Sequence, residues 1–205
     1  TSTTHNLSLE AGTETTSYRL SLSNLKQEGI TPNTSYDRLT ASLNATAKIS
    51  PKFKSEGTFS FTKSENQKAS KGGSGGLTGS NGYLLTLLGW PQDLDVRDYL
   101  NADGTRKKIT SGALDTETDN PFWDVEKNLS TDWNNRIVTN VGLIYDPATW
   151  LNFTARVGWD VNSGQGFRAI HPESAAGLST GGFIETYYNS TSNLNSTFLG
   201  TANKS

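Results

Sequence analysis

Leu151-Asn152-Phe153-Thr154-Ala155-Arg156-Val157-Gly158-Trp159-Asp160-Val161 carries an apolar side chain at every second position, with Asn, Thr, Arg, Gly or Asp between. Successive side chains of an extended chain point to opposite sides, so this spacing predicts a strand with one oily face and one polar face. Just upstream, Ile137, Thr139, Val141, Leu143 and Tyr145 repeat the pattern, and Asp146-Pro147-Ala148-Thr149 between the two runs is turn chemistry. Each run is about 9 to 12 residues long, against a mode of about 5–6 in globular sheets. About 10 residues tilted near 45° cross a bilayer's apolar layer, so the length favours a membrane strand.

The same period runs through the first third of the chain. Leu7, Leu9 and Ala11 share one side, then Tyr18, Leu20 and Leu22, then Leu39 to Ile49 at odd positions, then Phe53, Gly57, Phe59 and Phe61. Six strands are expected, at about 6–12, 17–25, 38–49, 53–63, 135–145 and 150–161. Alternate links are short: Gly12 to Thr16, Ser50-Pro51-Lys52, and Asp146 to Thr149. The others are long, at about 26–37, 64–134 and 162–182. Short turns on one side and long loops on the other is how a transmembrane barrel distributes its connections. After Gly182 the alternation weakens, with Phe183, Glu185 and Tyr187 opposite Ile184, Thr186 and Tyr188.

Composition narrows the classes. Apolar residues make up 33% of the chain, or about 40% if glycine is counted and tyrosine is not, which is thin for a compact core. Five Trp, seven Tyr and eight Phe nevertheless argue against disorder. A net charge of -2 with interleaved signs leaves no basic face for a phosphate backbone, so nucleic acid is not expected as a partner. No apolar run reaches the roughly 18 residues of a spanning helix, and Thr1 to Asn6 lacks the regions of a signal peptide. With no Cys, thiolate chemistry and disulfides are out.

Site chemistry is sparse. His5 and His171 have no ligand or triad partner nearby in sequence, and no catalytic residue, cofactor or metal is expected. Asp93, Asp95, Asp98, Asn101, Asp103 and Gly104 offer close oxygen ligands but lack the terminal Glu of a calcium loop, so they read as solvated carboxylates. Lys71 to Gly76 is linker chemistry, and Tyr83 to Leu88 predicts a short helix stopped by Gly89 and Pro91. Trp90, Trp123 and Trp133, in or beside the long loop, are candidate contacts to substrate or to a lid. Tyr18, Tyr145, Trp150 and Trp159 fall where an interfacial aromatic girdle is expected.

The stretch Tyr18-Arg19-Leu20-Ser21-Leu22-Ser23-Asn24-Leu25-Lys26-Gln27-Glu28-Gly29-Ile30, followed by Asn33-Thr34-Ser35-Tyr36-Asp37-Arg38, resembles the SusC/RagA-like TonB-dependent family. The likeness continues through Leu43-Asn44, Phe59-Ser60-Phe61, Asn120-Pro121-Phe122-Trp123, Tyr145-Asp146-Pro147 and Trp150-Leu151, while Asn24 stands where an aromatic is usual. The resemblance implies a 22-stranded barrel closed by a plug, in the outer membrane of a Gram-negative, Bacteroidota-type bacterium. It implies import of glycan or peptide fragments, a SusD-like surface lipoprotein as lid, and energy from the TonB complex.

The resulting expectation is all-β: an antiparallel up-and-down transmembrane barrel segment spanning 1–205, one of its long loops holding a short helix, with lipid as a partner, plug and remaining strands lying elsewhere, and no enzymatic role. Its rival is a soluble β-sandwich or adhesin-like carbohydrate-binding module, in which the oily face meets a second sheet. A carbohydrate-active enzyme would need a carboxylate pair about 5 to 10 Å apart, and no motif suggests one.

Overall fold

The computed structural model describes residues 1–69, 82–108 (Leu85 without its side chain), 119–175 and 177–203. Seven strands, β1 (Ser2–Gly12), β2 (Thr16–Glu28), β3 (Ser35–Ser50), β4 (Phe53–Gln67), β5 (Leu129–Ala148), β6 (Leu151–Ile170) and β7 (Phe183–Ala202), form one antiparallel up-and-down sheet in chain order. The sheet is not closed on itself, and its form is consistent with a segment of a barrel wall. Two seven-residue helices, α1 (Gly82–Leu88) and α2 (Pro121–Lys127), lie in the long β4–β5 connection. No helix among the described residues is long and apolar enough to cross a membrane.

The six expected strands are present and longer. The strand expected at 150–161 continues to Ile170, and the one expected at 135–145 runs from Leu129 to Ala148. The loop expected at 64–134 therefore shrinks to 68–128 and holds two helices instead of one, and the loop expected at 162–182 begins at His171. β7, outside the expected set, pairs with the whole of β6. The expected linker at Lys71 to Gly76 lies outside the described residues.

Register shows why the alternation holds. Leu9, Leu20, Leu43, Phe59, Thr139, Trp159 and Leu194 occupy one row across all seven strands. The next row on the opposite face is Ser8, Ser21, Ser42, Ser60, Val138, Asp160 and Asn193. A slip of one residue would exchange these faces. The tight turns prevent it. Thr13 Oγ1 accepts from the backbone N–H groups of Thr15 (3.3 Å) and Thr16 (3.1 Å), Ser50 Oγ accepts from Lys52 N–H (3.3 Å), and Asn152 donates to Asp146 Oδ1 (2.7 Å).

The turns also step down the sheet. Thr16, where β2 begins, pairs with Ala47, yet β3 continues three residues further to Ser50. Phe53, where β4 begins, pairs with Tyr145, yet β5 continues three residues to Ala148. Three residues are about 10 Å of strand, and the two strands they accompany are about 9.6 Å wide. The turns are therefore level with one another when the strands tilt by about 45°, close to the roughly 35–45° of membrane barrels.

No second sheet covers the oily face: all described strands lie in one sheet. Leu43 is 40% exposed, Phe59 43%, Val141 54% and Val157 49%, values of side chains flanked sideways but open above. The buried hydrophobic residues, Tyr83, Trp123, Val125 and Ile170, belong to the long-loop end instead. An apolar surface this continuous marks an interface. In the full-length protein unfolded from lipid vesicles, Val157→Arg, near the middle of its apolar run, is expected to cost about 2–4 kcal/mol. Asn44→Arg, on the other face, should change stability by less than about 0.5 kcal/mol; equal costs at the two sites contradict the assignment of faces.

Candidate functional site: a polar wall beneath a loop cap

The polar face is the concave one. It encloses about 980 Å³ lined by Glu10, Arg19, Asn44, Glu56, Thr58, Asn140 and Arg156, among others. Several of its charges pair across strands: Arg19 with Glu10 (3.2 Å), Arg156 with Glu56 (2.9 Å) and Arg136 with Asp160 (2.6 Å). Gly142 lies between Glu56 and Arg156 in the ladder, and a Cβ there would come within 2.6 Å of Glu56 Cγ. A bare backbone at this point lets Arg156 reach over β5. Gly166 plays the same part higher up, where the Tyr187 ring lies on its backbone and donates its hydroxyl to Asp132 Oδ1 (2.6 Å). Lys68 pairs with Asp132 as well. All of these pairs are at least partly exposed, so each contributes little to stability; they set a wall that is charged but nearly neutral in sum.

At the long-loop end the connections lock together. α2 starts with Asn120 as N-cap, its side chain accepting from Phe122 N–H (2.8 Å), and with Pro121 at the first position. This turns the Trp123 indole inward, where it is 1% exposed, donates to Ser174 Oγ (2.8 Å) and meets the His171 ring edge-on at 5.3 Å. Ser174 donates in turn to Asn128 Oδ1 (2.9 Å), which also receives His171 N–H (3.0 Å). Arg106 and Asp119 form an ion pair (2.7 Å) with both side chains almost fully buried, and Asp119 accepts from Ala175 N–H (2.9 Å). Asn33, held at φ 55°, bridges the β2–β3 turn to the Val125 carbonyl (2.7 Å) and accepts from Gln67 (2.7 Å). Three connections thus share one small core.

The candidate tryptophans are not brought together. Trp123 is inside the cap. Trp90 is half-buried after α1, its indole N–H closing on the Leu94 carbonyl (3.0 Å). Trp133 is in β5 on the outward face, between Glu65 and Gln165. Tyr18, Tyr145 and Trp150 lie at the short-turn end, with Tyr18 and Tyr145 on the outward face. Trp159 is outward too, in mid-strand, and donates to Ser192 Oγ (2.9 Å). Its place is near the upper end of the apolar run, because β6 continues beyond that run. The sequence reading missed Arg106, Asp119, Asn128 and Ser174; only Asn120-Pro121, an N-cap followed by proline, signals the helix that organises them.

Asp95, Asp98 and Asp103 of the acidic loop are engaged locally. The Arg97 guanidinium, hydrogen-bonded to Asp95, holds that carboxyl down at about 2, and Thr105 lowers Asp103 through its hydroxyl. Asp98 pairs with Lys107. Among the described residues no three acidic or imidazole groups converge as a metal site. His171 Nδ1 accepts from Glu173 N–H (3.2 Å), a bond internal to its turn. Glu126 is lowered first by the Tyr99 hydroxyl and then by Lys127, while Tyr99 is raised by Glu126.

Two outcomes follow for the full-length protein. Trp123→Ala should destabilise the cap by about 3–5 kcal/mol, read as joint loss of hydrogen-exchange protection at 121–128 and 171–175 with β1–β4 unchanged. A depressed carboxyl stabilises the folded state above the ordinary glutamate range and loses that contribution as pH falls through its lowered value. Tyr99→Phe should therefore weaken α2 protection at neutral pH, and the difference from wild type should vanish once Glu126 is protonated.

No protein-family model matches the chain, and no curated protein matches it. Solved structures do. The RagAB peptide importer in its closed-closed state superposes with a TM-score of 0.70 at 15% identity, over 96% of this chain and 21% of the importer chain. The RagAB peptide transporter gives 0.70 at 16% identity, over 96% and 21%, and the importer in its open-open state 0.65 at 18%, over 83% and 18%. The chain spans about a fifth of the solved chains it matches. At these identities the likeness is one of fold.

Proposed function

We propose that the chain is part of the wall of a SusC/RagA-like, TonB-dependent importer in the outer membrane of a Gram-negative, Bacteroidota-type bacterium, taking in glycan or peptide fragments. The observation that carries this reading is the pairing of an uncovered apolar convex face with a concave face of Ser, Thr, Asn and neutralised charges. Lipid would cover the first and water the second. Neighbouring strands are hydrogen-bonded to one another along the whole sheet, as hydrocarbon demands of a spanning wall. The fold likeness to a peptide importer supports the transport class.

In this reading the wall works by exclusion and guidance, with no bond made or broken. Tyr18, Tyr145 and Trp150 would sit in the interface at the short-turn side and Trp159 in the opposite one. The cap would stand outside the cell, where a SusD-like lipoprotein lid would meet it. Trp90, whose ring is only half-buried, is the proposed contact to cargo or lid. Plug and TonB contacts would come from the rest of a longer chain.

The test is uptake by cells that express the full-length protein, measured with labelled oligopeptides and labelled oligosaccharides. Import of one class should be lost when the gene is deleted or the TonB complex is removed. Undiminished import of both classes in both strains, or recovery of the protein in the aqueous fraction without detergent, contradicts the proposal.

A further inference from the structure

The outward face of β5, β6 and β7 carries a second apolar zone beyond the first. On β6 the apolar run ends at Val161; Ser163 and Gln165 follow, and then Phe167. Register sets Trp133, Gln165 and Tyr188 in one row, and Thr131, Phe167 and Thr186 in the next. A row of Asn135, Ser163 and Ser190 separates these from the lower band. Tyr188 is 74% exposed, and Gln165 is exposed beside it.

Two features define what this patch can hold. Along the whole outward face of β5 to β7 there is no charged residue, whereas the same level on β2 to β4 carries Lys26, Glu28, Asp37, Lys63 and Glu65. The patch also alternates aromatic rings with neutral hydrogen-bonding groups: amide between two rings in one row, ring between two hydroxyls in the next. Gln165 Nε2 reaches the Tyr188 hydroxyl only at 3.5 Å, so a close-packed protein contact would strand most of that amide's bonding capacity and the two threonine hydroxyls away from water. Acyl chains would offer them nothing. A sugar ring satisfies both, its faces stacking on aromatics and its hydroxyls bonding amides and hydroxyls.

Level points to the source. With strands tilted about 45°, Gln165 and Phe167 stand roughly 9 to 14 Å beyond Val161, the last residue of the apolar band. That is at and just beyond the outer edge of a membrane's headgroup layer, which is about 5 to 7 Å deep on each side, at the long-loop end. We infer that Trp133, Gln165, Phe167 and Tyr188 form a docking site for uncharged sugar rings of the core saccharide of a glycolipid in the surrounding outer leaflet. The inference rests on the membrane reading above. With no charge on the outward face of β5 to β7, and Lys63 and Glu65 confined to the β4 border of the patch, the contact is to uncharged sugar rings and not to the phosphates or acidic sugars of the same lipid.

The test uses the full-length protein purified from membranes in mild detergent, with two probes: lipopolysaccharide bearing its complete core saccharide, and lipid A without core sugars. Native mass spectrometry counts each bound glycolipid. Wild type should retain the core-bearing form over lipid A by about tenfold, the ratio that three modest aromatic contacts supply together. The W133A/F167A/Y188A variant should bind the two alike. Gln165→Leu, at an exposed position between the rings, removes the amide and keeps all three aromatics, and should lower the preference by about threefold. Equal retention of both probes by wild type overturns the inference and leaves the membrane reading standing. So does a triple variant that changes oligomeric state with the glycolipid ratio intact, which would make the patch a contact between copies. A wild-type protein that binds neither probe and stays dispersed without detergent overturns both.

Discussion

A backbone that crosses hydrocarbon finds no water for its N–H and C=O groups, so every one of them must be paired within the sheet. Pairing fixes register, and register in a strand fixes which side chains share a face. The arrangement described above follows from that chain of constraint. Leu9, Leu20, Leu43 and Phe59 can form one oily row only because Ser50-Pro51-Lys52 and the Thr13 turn hold the ladders in step. The three-residue descent of successive turns is the same constraint seen along the sheet, since tilted strands reach a level interface only if each hairpin is offset from the one before.

The fold has two centres with different solvents. In the wall, side chains pack sideways against neighbours and are finished by their surroundings, which is why ordinary burial is almost absent there. In the cap, a small water-excluding core is built from Trp123, Val125, Tyr83 and Ile170 and tied by the buried Arg106–Asp119 pair. β5, β6 and β7, at 20 residues each, connect the two. Their upper parts outrun the apolar band and lift the cap clear of it. Lys52, donating to the Pro147 carbonyl (2.8 Å), ties neighbouring turns at the opposite end.

Legibility in the sequence followed the solvent. Leu151 to Val161 is legible because apolar and polar side chains alternate there without a break, and that alternation matches an apolar face that no second sheet covers. Asn162 to Gly166 has the same backbone but polar or small residues on both sides, and the apolar Phe167 and Ile170 beyond it fall on opposite faces, so no period marks this part of β6, and a strand read from alternation ends too early. β7 has Ser190, Ser192 and Ser196 outward and Asn189, Asn193 and Asn195 inward, so its pairing with β6 shows only in three dimensions. The cap was less legible still. Arg106 and Asp119 meet through tertiary packing that no spacing announces, and Trp123, a candidate contact to substrate or lid for which packing within the loop reads equally well, is turned inward by the Asn120-Pro121 helix start. Aromatics near the short turns, Tyr18, Tyr145 and Trp150, lie at the end where the pattern placed them.

The central claim is that odd-numbered positions of β6 face lipid and even-numbered ones face water. The chain has no Cys, so nitroxide labels can be placed one at a time from Phe153 to Val161 in the full-length protein in lipid vesicles. Collision with oxygen, which concentrates in lipid, should be high at Phe153, Ala155, Val157, Trp159 and Val161. Collision with a water-soluble nickel complex should be high at Thr154, Arg156, Gly158 and Asp160. A profile without this two-residue period, or one with its maxima exchanged, contradicts the account.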